Sequence, residues 1–214
     1  HIIENKIKRE QLVIIGFPCK GMIDKRKINS MFDGEIREVI EDENNITVKG
    51  NGFDKVLNKN DVLQQNCALC AHRNPVEYDE LIADLVEEQP DLDRYPDIRD
   101  IEAMSAGDKW NFFEDLLAPC IRCYACRNIC PVCNCEKCMA DTFQPNWIRS
   151  SVNISENTAY HAMRAFHMAG RCISCGMCEK ACPVDIPLTT LYKKVEKDVL
   201  ELFDYEAGID RDTE

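Results

Sequence analysis

The chain has 214 residues, a net charge of −12 from 26 Lys and Arg against 38 Asp and Glu, and 14 cysteines. That length suits one large domain or two modest ones, and the acidic balance argues against a nucleic-acid binder. The longest apolar run, Leu12 to Phe17, falls far short of the roughly 20 residues a membrane span needs, so no span is expected.

In chain order, His1–Arg9 reads as the last turns of a helix, leading into an apolar, β-branched stretch, Gln11–Phe17, that predicts a buried strand ending at Pro18. Glu35–Ile40 and Ile46–Lys49 flank Asp42-Glu43-Asn44-Asn45 and predict a small hairpin. Helical periodicity predicts helices over Pro75–Glu88, over Ser105–Leu117 behind a Ser105 cap with Asp108 three residues on, and over Leu188–Phe203. Another is predicted over Glu156–Ala169, capped by Ser155 and closed at Gly170, with Ala159, Ala162, Met163, Phe166 and Ala169 as its apolar face. The fold expected is α+β: a small N-terminal α/β portion (1–74), a helical linker (75–118), a mainly helical ferredoxin-type domain (119–190) and an acidic C-terminal helix and tail (191–214). A buried strand with so few strand neighbours implies that the first portion belongs to a longer α/β polypeptide.

The cysteines are grouped. Cys120-Ile-Arg-Cys123-Tyr-Ala-Cys126-Arg-Asn-Ile-Cys130-Pro131 and Cys172-Ile-Ser-Cys175-Gly-Met-Cys178-Glu-Lys-Ala-Cys182-Pro183 are the same motif written twice. This C-x2-C-x2-C-x3-C-P run supplies three thiolates to one [4Fe–4S] cube, while its fourth cysteine serves the neighbouring cube. Cys120, Cys123, Cys126 and Cys182 are therefore expected on one cluster, and Cys172, Cys175, Cys178 and Cys130 on the second. Zinc ribbons fit worse, having no use for a third thiolate followed by Cys-Pro. Disulfides fit worse still, because no export leader is evident and a reducing, cytoplasmic setting is the default.

Six cysteines remain: Cys19, Cys67, Cys70, Cys133, Cys135 and Cys138. The pairs Cys67-x2-Cys70 and Cys135-x2-Cys138 make one tetrathiolate set, suited to a third [4Fe–4S] cluster or to zinc. Cys133 is a substitute ligand, and Cys19 stands just past the first strand as a further ligand or an inert thiol. His72, His161 and His167 read as turn or packing residues. No phosphate-cradling glycine loop and no nucleophile–base pairing stand out, so a catalytic residue is not assigned. Glu77–Glu102 carries eleven acidic and two basic residues and Val195–Glu214 eight and two, surfaces suited to steering a basic partner.

The first cysteine run, continued by Val132-Cys133 and followed by Arg164-Ala-Phe-His-Met-Ala-Gly-Arg171-Cys172, resembles iron–sulfur proteins related to the beta subunits of coenzyme F420-reducing hydrogenase and formate dehydrogenase. The second half is similar to the helical ferredoxin module of heterodisulfide reductase and succinate dehydrogenase iron–sulfur subunits. Gly16-Phe-Pro-Cys19 and Cys67-Ala-Leu-Cys70 look like short cysteine motifs of the same beta-subunit family. The resemblance implies an electron-transfer subunit of a larger redox complex in an anaerobe. Its partners would be hydrogenase, formate dehydrogenase, flavin dehydrogenase or heterodisulfide reductase-like subunits, and a ferredoxin. The second reading is a flavin-containing oxidoreductase beta subunit with its own substrate or cofactor site, although no flavin-binding signal is visible in the sequence.

Overall fold

The computed structural model describes residues 7–210, which form two compact units: Val13–Arg94, and residues 95–210 together with 7–12. Helices and sheets both contribute, so the architecture is α+β as expected.

The Val13–Arg94 unit is built on a three-stranded antiparallel meander, β2 (Ile36–Glu41), β3 (Asn45–Gly50) and β4 (Phe53–Asn58), following β1 (Ile15–Gly16) and α1 (Lys25–Ser30). Asp42 closes the predicted hairpin by accepting backbone N–H bonds from Asn44 (3.1 Å) and Asn45 (2.8 Å), an Asx-type turn. Central β3 turns Ile46 and Val48 into a core with Ile28 and Val62, all at 2% exposure or less, and Phe32 stacks on Phe53 with ring centroids 4.7 Å apart. The third strand was not anticipated. Its signal is Asn51-Gly52, a two-residue hairpin loop with Gly52 at φ 84°, the left-handed geometry that dipeptide favours.

Two expectations fail in this unit. Gln11–Phe17 is not a buried strand: Arg9–Gln11 is a 3-10 turn and only Ile15–Gly16 pairs, in parallel with β5 (Glu80–Leu81). Val13, Ile15 and Phe17 point outward at 75%, 60% and 65% exposure. With one two-residue partner, the segment alternates between a half-covered and an open face. The helix expected over 75–88 is absent beyond α2 (Gln65–Ala68). There Asn74 exchanges hydrogen bonds with Val86 N (2.9 Å) and Val86 O (2.7 Å), and the Glu88 carboxylate accepts the backbone N–H groups of Arg73 and Asn74, both at 3.0 Å. At Val86 the Asn74 side chain captures backbone groups that a helix would have paired internally. The expected helix over His1–Arg9 lies, at residues 1–6, outside the described residues.

In the other unit α3 (Pro96–Ala103) starts with proline at its first turn and was not anticipated. Helix α4 (Ala106–Leu117) begins as predicted, with Ser105 Oγ accepting from Asp108 N at 3.2 Å. One-turn helices α5 (Ala125–Asn128) and α7 (Met177–Lys180) each follow a cysteine loop, and α8 (Leu188–Phe203) runs over the span expected. Helix α6 (Ile154–His167) begins one residue before the Ser155 expected to cap it, because Asn153 is the cap, accepting from Glu156 N at 3.0 Å. Its buried face is also not the apolar one read from the sequence. Phe166 is 73% exposed, whereas Asn157, Tyr160, His161, Arg164 and Ala165 are buried.

Candidate metal centres

The two cysteine loops share one backbone. At the third and fifth positions of the repeat the chain is left-handed in both: Arg122 (φ 56°) and Tyr124 (φ 60°), then Ser174 (φ 50°) and Gly176 (φ 71°). Such residues cost about 1–2 kcal/mol each outside glycine, and here they curl the loop so that successive sulfurs face one hollow. Tyr124 stays at the strained position because its ring is held edge-on to Tyr160 (5.3 Å) and carries the Arg127 guanidinium (4.7 Å).

Cys120, Cys123, Cys126 and Cys182 line one cavity, with Tyr160, His161 and Ile186. Cys130, Cys172, Cys175 and Cys178 line a second, with Arg164, Met168 and Tyr192. The fourth cysteine of each motif thus faces the first three of the other. Among the described residues no three Cys, His, Asp or Glu side chains converge on a single ion.

Burial raises the thiols, pushing Cys172 up to about 11 and Cys178 up to about 12, and Cys120 and Cys126 also move upward for the same reason. Without metal these groups are neutral at pH 7; binding iron converts them to thiolates and releases protons. Donors wait for that charge. Backbone N–H groups of Arg122 and Ile186 reach Cys120 Sγ and Cys182 Sγ, both at 3.4 Å. His161 Nε2 lies 3.2 Å from Cys120 Sγ. Burial, together with Arg164 and Arg122, pushes this imidazole down to about 4 while the neighbouring thiols are neutral. A metal-bound sulfur only accepts, which places the imidazole proton on Nε2. Arg122, 6% exposed, is fixed by Glu156 O at 2.6 Å, Arg149 O at 3.3 Å and the Tyr160 ring at 4.6 Å. Arg164, 4% exposed, donates to Cys126 O at 2.9 Å and to the Tyr192 hydroxyl.

The sequence reads His161 as a packing residue, whereas the structure brings it to a cysteine sulfur. Its signal is Asn157, His161 and Arg164 at helical spacing, a polar stripe that reads as solvent-facing until something anionic is placed opposite it.

The remaining cysteines fall into two groups. In the Val13–Arg94 unit Cys67 Sγ accepts from Met22 N at 3.3 Å, and Cys19 and Cys70 lie close enough to raise its pKa further, burial being the larger cause. In the other unit Cys133, Cys135 and Cys138 line a third cavity.

Residues 116–186 match the family model of a 4Fe-4S dicluster domain. The chain is similar to F420-dependent formate dehydrogenase subunit beta of Methanocaldococcus jannaschii, 35% identical over 92 residues, which is 42% of this chain and 24% of the relative. It is also similar to F420-dependent formate dehydrogenase 1 subunit beta of Methanococcus maripaludis, 29% identical over 91 residues, 42% of this chain and 23% of the relative. The matched segment spans about a quarter of the length of either relative. No helix of the described residues is long and apolar enough to cross a membrane.

Proposed function

We propose that this iron–sulfur protein, related to F420-dependent formate dehydrogenase beta subunits, is a cytoplasmic electron-transfer subunit that relays single electrons within a multi-subunit redox complex. One cluster is held by Cys120, Cys123, Cys126 and Cys182, the other by Cys172, Cys175, Cys178 and Cys130. A third metal centre takes its ligands from one of two cysteine groups, Cys19, Cys67 and Cys70 or Cys133, Cys135 and Cys138. The partners are formate dehydrogenase- or hydrogenase-type subunits. The observation that carries the reading is the exchange of the fourth cysteine between two cavities, since ligands shared across two motifs force their clusters to be neighbours.

Bound [4Fe–4S] cubes supply one-electron redox chemistry at low potential. The chain's residues set the conditions. Tyr160, Leu188 and Ile186 wall off water around the first cavity. His161 and the backbone N–H groups stabilise sulfur charge, and Arg164 holds a fixed positive charge against the second cavity. The donors and the fixed positive charge favour the reduced state, whereas exclusion of water by itself opposes the added negative charge.

The test is iron, acid-labile sulfide and flavin quantified on one anaerobic preparation. Two cubes require about eight irons and eight sulfides per chain, and a third adds about four of each. A colourless preparation free of sulfide overturns the relay. The second reading is a flavin-bearing oxidoreductase beta subunit; the relatives' names support the beta-subunit part of it, and stoichiometric flavin released by acid would support the rest. The ligand exchange has its own check. Cys182→Ser is expected to alter the spectrum of the centre held by Cys120, Cys123 and Cys126 and spare the other; the opposite result overturns the assignment.

A further inference from the structure

The third cysteine-lined cavity, about 280 Å³, lies within the helical unit, where Cys133, Cys135 and Cys138 share its wall with His167, Arg127 and Arg164. It adjoins both of the others: Tyr160 lines this cavity and the Cys120 cavity, while Arg164 and Met168 line this one and the Cys130 cavity. We propose that Cys133, Cys135, Cys138 and His167 hold a third iron–sulfur cube, complete within residues 95–210 and higher in potential than the other two. The proposal rests on the relay reading and deepens it by selecting ligands from the six unassigned cysteines.

Three observations carry it. The cavity, lined by three cysteines and a histidine, is far larger than a single zinc ion needs, whereas a four-iron cage has room to fill it. Its walls are cationic: Arg127, Lys137 and Arg164 all line it, with Arg127 hydrogen-bonded to Cys138 and paired with Asp141 at 2.8 Å. Thiolates gathered there have counter-charges already in place. Finally, the histidine lining this cavity sits in the last turn of α6, on the helix that walls the other two. A neutral imidazole in place of one thiolate leaves a cube less negative, and histidine ligation is known to raise cluster potentials.

The test uses the full chain, purified anaerobically, with iron and sulfide counts and a redox titration followed by EPR. Wild type is expected to hold about twelve irons. Cys135→Ser should lose about four irons and the highest-potential signal while keeping the two lower ones. The double variant Cys67→Ser, Cys70→Ser should retain all three signals. His167→Cys should keep full iron and move only the highest potential downward. If Cys135→Ser disturbs folding and loses all iron, the His167→Cys titration decides. Full iron in Cys135→Ser, loss of the highest-potential signal in the Cys67/Cys70 variant, or an unmoved potential in His167→Cys overturns the proposal. Wild type without sulfide defeats the relay itself, a distinguishable failure.

Discussion

Arg164 is a guanidinium at 4% exposure whose hydrogen-bond partners, the Cys126 carbonyl and the Tyr192 hydroxyl, are both formally neutral. A buried cation without an anion is costly, and in the proposed relay the metal-bound thiolates of the cavities it borders supply the compensating charge. Arg164→Met should therefore lower the potential of the Cys130/Cys172 centre by on the order of 50–100 mV, taking an effective dielectric near 20 and about 59 mV per 1.4 kcal/mol for one electron. Arg164→Lys, which keeps the charge, should recover most of that shift; equal potentials in the two variants would refute an electrostatic role. His161 acts more locally, through one N–H on Cys120 Sγ at 3.2 Å. His161→Phe removes that donor while filling similar space. It should lower the potential of the Cys120 centre by roughly 30–60 mV, the equivalent of one hydrogen bond of about 1 kcal/mol, with the iron count unchanged.

Elements differ in how much of them the sequence exposes. Helices α4 and α8 were legible because their apolar period and, for α4, the Ser105 cap agree with the packing that tertiary structure imposes. The cysteine loops were legible for a different reason: ligand spacing is fixed by cluster chemistry whatever surrounds it. Helix α6 was misread as to face, since periodicity assigns polar residues to water and has no means of knowing that the cysteine loops and their cavities lie opposite Asn157, His161 and Arg164. The 75–88 segment was misread as to type. Its acidic and apolar residues fall at helical intervals, but two side chains at its ends hold the backbone in another shape. Asn74→Ala removes the 2.7 and 2.9 Å bonds to Val86 and a 2.7 Å bond to Glu88, leaving backbone groups to find water. A loss of about 1–3 kcal/mol is expected, together with faster amide exchange at Val86. Wild-type exchange there would show that the segment is held by something else.

Across the whole molecule the two units draw stability from different sources. The Val13–Arg94 unit has a small apolar core, Ile28, Ile46, Val48 and Val62, at the centre of a hydrogen-bonded meander. In the other unit the principal core is interleaved with cysteine: Cys120, Cys126 and Cys182 are themselves members of it beside Leu117, Tyr160 and Leu188. Four buried polar side chains, Arg122, Asn157, His161 and Arg164, intrude into that region, and buried polar groups weaken a core unless they are satisfied. Arg122 Nε, Asn157 Oδ1, His161 Nδ1 and Arg164 Nε have no hydrogen-bond partner among the described residues. Metal binding contributes roughly 10–16 kcal/mol in structural thiolate sites, comparable with a domain's net stability of about 5–15. Removing iron should therefore act unevenly. After anaerobic chelation, amide exchange is expected to rise throughout residues 116–186, with Tyr160 and Ile186, whose N–H bonds to Cys182 Sγ, losing protection first. Ile46 and Val48, at the centre of the meander, should keep theirs. Cys178→Ser should reproduce part of this pattern by lowering iron content and the melting temperature together. If the two units instead lose protection in step as iron leaves, the sheet unit depends on the clusters as well, and the division of stabilising forces argued from their cores is wrong.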